Sequence, residues 1–520
     1  MSTAPTSLAS KQPANLHGPW PALSPWVRLW PGPGRPASPA TVIAVFAATL
    51  IAALSIPLDR AGLGWFVTAL AGTAALVVAR TVRSPDAVPA LVERPVDVGT
   101  RDRFLWAAAT VALLATGTFR AAGWLFALCL LTATLTTALA LSSGRSLRSI
   151  AVTHVLAPAA ATRGALWLAR GAARLRGRGH NGAPVRVLAT IAVSVLLLTV
   201  FGALFVSADA AFARIFEAAV PDLDVVTIGR WVFVSAVTAP LLTAAAFLRA
   251  APPATGRLDR TEGRKVGRVE WAVPLGLLVL LFAAFVTVQL PVLFGGDQHV
   301  VETDGLAYAQ YARSGFFELC AVTGLTLVVL AGAARWAPRT GQTDRILLRV
   351  VLGALATLTL VIVASALHRM DVYTDAYGLT RLRLLVACCE AWFGIVLVMV
   401  LVAGIRIRAP WLPRVAIAAG VLTLLGLAGA NPDGLIAENH VQRTDRIDLG
   451  YLADLSPDAA PAIAGLDDPE RRNCLLTAIG ESMPADDWRG WNLARETARD
   501  LIAKYPANHP AGCGELIHRY

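Results

Sequence analysis

The stretch Leu367–Gly394, LHRMDVYTDAYGLTRLRLLVACCEAWFG, decides how this chain is read. It sets His368, Arg369, Asp371, Asp375, Arg381, Arg383 and Glu390 between two long apolar runs. Runs of about 20 apolar residues are what a bilayer core about 30 Å thick demands of a helix. A charged cluster between two of them belongs either to a loop at the membrane surface or to polar groups held inside the bilayer.

Composition points the same way. The chain has 520 residues, 56% hydrophobic and 16% charged, with mean hydropathy +0.58. Soluble domains carry about 25% charged residues, so a soluble globular class is excluded. The apolar runs are continuous rather than alternating, which selects helices over a barrel. The net charge is +11, and three of the 46 basic residues are Lys (Lys11, Lys265 and Lys504). This Arg-rich, Ala-rich usage suggests a bacterial genome. Most Arg sit in short segments between apolar runs, which argues against a nucleic-acid partner.

Eleven spans are expected: 40–58, 62–79, 104–119, 121–142, 187–206, 229–248, 271–294, 315–334, 346–367, 382–404 and 411–429. The third and fourth meet at Arg120 and could instead form a re-entrant hairpin. Residues 1–38, rich in Pro and Gly with Trp20, Trp26 and Trp30, read as a disordered cytoplasmic segment whose Trp rings touch the membrane surface. The first apolar run begins too late for a cleaved signal peptide. With the N-terminus inside, the cytoplasmic segments hold 29 basic residues and the outer loops 8, the bias that fixes orientation in membranes. An odd number of spans then places the C-terminus outside.

The architecture expected is an all-α polytopic integral membrane protein in five parts. They are a cytoplasmic N-terminus (1–38), a four-span region (39–142), a basic cytoplasmic loop (143–186), a seven-span core (187–430) and an acidic helical extracytoplasmic tail (431–520). In the basic loop, Arg163, Arg170 and Arg174 share one helical face with Leu166, Trp167 and Leu175 nearby. That pattern suits an amphipathic helix on anionic lipid headgroups, and equally an ordinary positive loop that fixes topology. The tail has 15 acidic and 9 basic residues. It carries helix starts at Ser456-Pro457 and helical stretches over 448–455, 468–479 and 487–503. Outside the membrane, Cys474 and Cys513 can form a disulfide or remain two thiols. Cys129, Cys320, Cys388 and Cys389 lie in apolar runs as small packing residues.

No nucleotide-binding loop, zinc-protease, nucleophile-elbow or dinucleotide motif is present, so no cofactor and no catalytic residue is expected. The polar residues instead gather at one membrane face. They are Asp209 and Arg214 after the fifth span, Tyr311, Arg313 and Glu318 before the eighth, and His368, Arg369, Asp371, Tyr373, Asp375, Tyr377, Arg381, Arg383 and Glu390 around the ninth and tenth. Arg383 and Glu390 are two helical turns apart, about 10 Å along the axis, which suggests a pair reaching into the apolar zone. Three readings are open. The charges pair to lock helices, they line an outward-facing pocket for a solute, a lipid headgroup or another ligand, or His368, Asp371, Asp375 and Glu390 hold a hard or borderline cation. His154, His299 and His440 read as loop or interfacial residues.

The series FGALFVSADAAFARIF, GRVEWAVPL, LAYAQYARSGFFEL, RWAPRTG, ALHRMDVYTDAYGLTRLRL and NPDGLIAENHVQR resembles a bacterial inner-membrane family. That family is catalogued as domain of unknown function 4173, with a near relative numbered 4153. The resemblance runs over about residues 186–464 and leaves the first four spans as a variable extension. It implies a protein of the cytoplasmic membrane and brings no activity with it. Three functions follow as alternatives: a non-enzymatic envelope sensor or scaffold whose exterior tail binds a protein, a transporter or channel, or a membrane-embedded transferase using Glu390 or Asp371 as base.

Overall fold

A computed structural model describes residues 30, 32–79, 99–141, 147–176, 194, 201–202, 205, 225–253, 266–294, 316–338, 341–406, 410–443, 447–506 and 513–514. Among these residues every regular element is helical. The membrane-embedded part and its loops comprise α1 (Pro39–Ser55), α2 (Leu63–Val78), α3 (Thr100–Phe119), α4 (Gly123–Leu141), α5 (Leu147–Val155), α6 (Ala157–Arg176), α7 (Val225–Ala250), α8 (Arg268–Phe294), α9 (Phe316–Trp336), α10 (Gln342–Tyr377), α11 (Arg381–Arg406) and α12 (Leu412–Ala430). Then follow α13 (Pro432–Val441), α14 (Leu449–Ala453), a 3₁₀ turn (Pro457–Ala459), α15 (Ala460–Ile463), α16 (Pro469–Glu481) and α17 (Leu493–Lys504).

Seven of these helices, α4 and α7 to α12, are long and apolar enough to cross a membrane. Their outward faces are apolar as well. Leu277, Leu280, Leu281 and Val288 of α8, Leu325 and Val328 of α9, and Val398 and Val402 of α11 are all exposed. Hydrophobic side chains on the outside as well as the inside are the mark of helices solvated by lipid. The eleven-span expectation is thus met at the coarser level of seven. α1 and α2 are apolar but have 17 and 16 residues, about 26 and 24 Å at 1.5 Å per residue. α3 begins with Arg101, Asp102 and Arg103. Nearly all of the expected fifth span lies outside the described residues.

The helices pack in two groups. In the first, α1, α2, α3, α4 and α7 lie side by side with α6 across α7 and α1. In the second, α8, α9, α10 and α11 surround a core of Phe282, Val286, Leu330, Leu355, Ile362 and Leu397. α12 joins them, packing on α11 on one side and on α3 and α4 on the other. α3 and α4 form a helical hairpin turning at Arg120–Ala122.

Near α6, two side chains expected at the membrane surface pack against protein. Trp30 is the first. It is 3% exposed, its Nε1 donates to the Ala251 carbonyl at 2.7 Å, and its ring meets Phe247 edge-on. Trp20 and Trp26 lie outside the described residues. Arg163 turns inward, donating twice to the Trp30 carbonyl at 3.1 Å and lying over the Trp30 ring. Arg170 and Arg174 remain exposed.

The residues after α12 fold back on the bundle. α13 to α17 share a core of Ile436, Leu449, Leu452, Ile463, Leu475, Leu476 and Ile479, all at most 1% exposed, against which Leu379 and Leu384 of the α10–α11 hairpin also pack. Capping explains the starts. Asp448 accepts from the Tyr451 amide, Asp468 from those of Glu470 and Arg471, and Asn492 from that of Arg495, each satisfying donors that a helix N-terminus leaves open. The last helix starts at Leu493, later than the expected 487, because Asp487 accepts from the Arg489 and Gly490 amides in a turn. Ser456 caps nothing with its hydroxyl, which donates to Asp458 instead.

Cys474 and Cys513 form a disulfide with Cα atoms 5.1 Å apart, closing a loop over a sequence separation of 39. Closing a loop of this size removes unfolded-state entropy worth about 4 kcal/mol on a chain-entropy estimate. Cys474→Ser is therefore expected to lower the stability of the α13–α17 layer by roughly 2–4 kcal/mol. Thermal unfolding of the detergent-solubilised chain followed through its tail Trp residues checks it, and treating the wild type with reductant reproduces the loss.

Candidate functional site

The structure divides the polar cluster. Asp209, Arg214, Tyr311 and Arg313 lie outside the described residues. Glu318 is exposed in the first turn of α9. α10 does not end near His368 as expected; it continues as one helix to Tyr377, about 54 Å for its 36 residues. The connection to α11 shrinks to Gly378–Thr380. His368, Asp371, Asp375 and Tyr377 all become exposed positions on that helix. Glu390 is sealed away from them, so the set open as a cation site does not assemble. Among the described residues no group of three His, Cys, Asp or Glu side chains is placed to hold a metal ion.

Arg383 does not pair with Glu390. Its Nη1 donates to the Gly378 carbonyl, and its guanidinium lies 4.2 Å from the centre of the Tyr373 ring, which itself packs on Tyr377. The residue ties the end of α10 to the start of α11. Gly378 is at φ +81°, in the left-handed region that suits glycine. A Cβ there would come within 2.9 Å of the His440 ring, so the turn also needs glycine to admit α13.

Among the described residues, Arg369 and Glu390 enter the apolar core of the second helix group. Arg369 is 9% exposed and donates from Nη2 to Gln289 Oε1 of α8. Glu390 is 0% exposed, and no charged group bonds either of its carboxylate oxygens. The Cys320 thiol and the Thr323 hydroxyl of α9 lie against it. Thr323 is wholly buried and spends its proton on the Leu319 carbonyl at 3.0 Å.

Arg381, by contrast, belongs to a set that the sequence reading did not assemble. Asp433, fully buried, accepts from Arg381 Nη2 at 2.6 Å and Nε at 3.1 Å, from Trp124 Nε1 of α4 at 3.1 Å and from the Ser456 amide at 3.0 Å. Asp458 accepts from the Ala121 and Ala122 amides at 2.7 and 2.8 Å, with Arg120 at 3.6 Å. Asp486 takes Arg495 at 2.7 Å, Arg499 at 2.6 Å and Arg60 at 3.2 Å. Asn492 donates to the Gly117 carbonyl at 2.8 Å, and Arg495 to the Ala61 carbonyl at 3.0 Å. His440 Nε2 and the Leu379 carbonyl are 3.0 Å apart. Gly62 meets the backbone of Arg489 and Gly490 so closely that a Cβ would overlap it. The tail is thus clamped to the α1–α2, α3–α4 and α10–α11 connections, which lie at one end of the bundle.

A signal for this clamp existed in Asn431-Pro432. Asn431, in the left-handed region at φ 58°, ends α12 and begins α13. Its Oδ1 accepts from the Gly434 amide and its Nδ2 donates to the Asp458 carbonyl at 2.9 Å.

Burial pushes the Asp433 carboxyl up, but the bonds and charge of Arg381, with Ser456, hold it below the ordinary carboxylate range. The same contest at Asp486, between burial and the bonds from Arg495 and Arg499, also ends below that range. At Asp458 burial wins over Ser456, the two amides and Arg120, and the carboxyl is raised.

The model of a family described as domain of unknown function (DUF4153) matches residues 108–466. This is the near relative of the family that the sequence resembles. The match begins before residue 186 and takes in most of α3 and all of α4. No curated protein and no solved structure matches the chain.

Two predictions follow from these contacts. Depressed carboxyls stabilise above their unfolded values and lose that contribution as pH falls through the folded ones. Asp433 and Asp486 therefore should release the tail below about pH 4, while Asp458, raised, acts in the opposite sense. Asp433→Asn should cost about 3 kcal/mol and abolish much of the acid dependence, read by limited proteolysis of the tail across pH. Separately, Arg383→Gln and Glu390→Gln should show additive effects within about 0.5 kcal/mol, because the two side chains do not pair. Thermal stability of both single variants and the double variant measures this.

Proposed function

The chain belongs to the DUF4153 family, a domain of unknown function, and from that premise we propose that it is a non-enzymatic scaffold or sensor of the bacterial cytoplasmic membrane. Eleven spans would hold the N-terminus in the cytoplasm and present residues 431–520 outside the membrane to a protein partner. The observation that carries this reading is the clamp. Three buried carboxylates, Asp433, Asp458 and Asp486, hold a layer of helices rigidly on one end of the bundle. A tail fixed this firmly is a platform whose position reports on the helices beneath it.

The connections that bear the platform, α1–α2, α3–α4 and α10–α11, are the ones the distribution of basic residues assigns to the outside, which supports the orientation. At the other surface, exposed Arg170 and Arg174 of α6 would meet anionic lipid headgroups, with Arg163 committed to Trp30.

A transporter is the second reading, and the isolated buried Glu390 favours it, since intramembrane ionisable groups mark transport paths in many proteins. The transferase reading has less support. Asp371 stands exposed on the extension of α10 and Glu390 has no open surface, so neither lies in a cleft that could hold a lipid-linked substrate.

Cysteine accessibility tests the orientation. A Ser482→Cys probe on the tail should react with a membrane-impermeant maleimide in intact spheroplasts, and an Arg170→Cys probe only after lysis. The reverse pattern would overturn the proposed topology and the exterior partner with it.

A further inference from the structure

We propose that Glu390 is a proton-binding site: it holds one proton as a neutral carboxylic acid at the junction of α9, α10 and α11. The inference goes beyond the scaffold reading, because the site lies inside the second group of helices and not in the clamped tail.

Depth comes first. Glu390 is nine residues into α11, about 13 Å from its start, near the middle of a hydrocarbon core about 30 Å thick. It has no exposed surface, and no charged group bonds either oxygen. An ionised carboxylate in such a place has only a thiol and a hydroxyl beside it to offset its lost hydration. A carboxylic acid there forgoes far less.

The groups that could change this balance are few. From α9 come Cys320 and Thr323. The Thr323 proton is already given to Leu319, and a thiol is a weak donor that cannot by itself hold a carboxylate charged. On α11 itself the neighbours are Cys388 and Cys389. From α10 comes Arg369, eight residues before the end of its helix, and so at nearly the depth of Glu390 in the antiparallel hairpin. Arg369 makes its bond to Gln289 of α8, and no charged group bonds the Glu390 oxygens. Tyr373 of α10 is engaged with Arg383. In α12 the charged side chain is Arg414, near the far end and bonded to Asp102. In α13, Asp433 and His440 are committed to Arg381 and Leu379. Among the described residues no set of three His, Cys, Asp or Glu forms around Glu390 to hold a metal ion, whereas one carboxylate is sufficient for a proton.

Infrared spectroscopy of the full-length chain in lipid at neutral pH tests this. Subtracting the spectrum of Glu390→Gln from that of the wild type should leave the carbonyl band of a protonated carboxylic acid. A hydrophobic carbodiimide, which adds the acid O–H across its C=N bond, should modify Glu390 at least ten-fold faster than a water-soluble one, as read by peptide mass spectrometry. A carboxylate band in the difference spectrum overturns the proposal. So does conversion of the acid band to a carboxylate band on adding sodium, which would make the ligand a cation. Because Gln is the neutral isostere of the acid, a Glu390→Gln chain that fails to fold while Glu390→Asp folds overturns it as well.

Discussion

The bond between Arg381 and Asp433 is the contact on which the rest of this architecture leans. One carboxylate, fully buried, joins the first residue of α11, the Trp124 indole of α4 and the amide that leads into the 3₁₀ turn. Four parts of the chain distant in sequence therefore share one charge. A buried ion pair is a poor source of net stability, because desolvation offsets most of the attraction. What it contributes is register. The guanidinium accepts one arrangement of the carboxylate, and so the tail docks in one orientation.

The same logic runs along the rim. Asp458 covers the open amides at the α3–α4 turn, and Asp486 gathers Arg60, Arg495 and Arg499. Each turn at this end of the bundle exposes backbone groups that water would otherwise satisfy. The tail supplies the partners in place of water, and the apolar core of α13–α17 packs on Leu379 and Leu384.

Much of this was legible beforehand, and the failures have physical causes. Apolar runs and caps gave ten of the eleven expected spans as helices, and the starts at Asp448 and Asp468, because hydrophobic length and N-cap chemistry are local. Spacing also placed Glu390 inside the apolar zone. It failed for Arg383, since two residues on one helical face need not meet when a nearer carbonyl, that of Gly378, is open to the longer side chain. It failed for the end of α10, where charged residues suggested a loop although a helix projecting beyond the lipid carries charges at no cost. Asp433, Asp458 and Asp486 were passed over because each resembles an ordinary acidic residue of a solvated tail. Each also has a partner more than 300 residues away, at Trp124, Ala121 or Arg60, which no local pattern announces.

The order of synthesis gives the clamp a further meaning. Arg60, Arg120 and Arg381 belong to turns made early or midway through the chain, and their acidic partners come last, at Asp486, Asp458 and Asp433. Before those residues are made, the turns lack the carboxylates that bond them in the full chain. The part of the chain made last is therefore the part that joins α1–α2, α3–α4 and α10–α11. A chain truncated before Asp433 would keep its apolar helices and lose that closure.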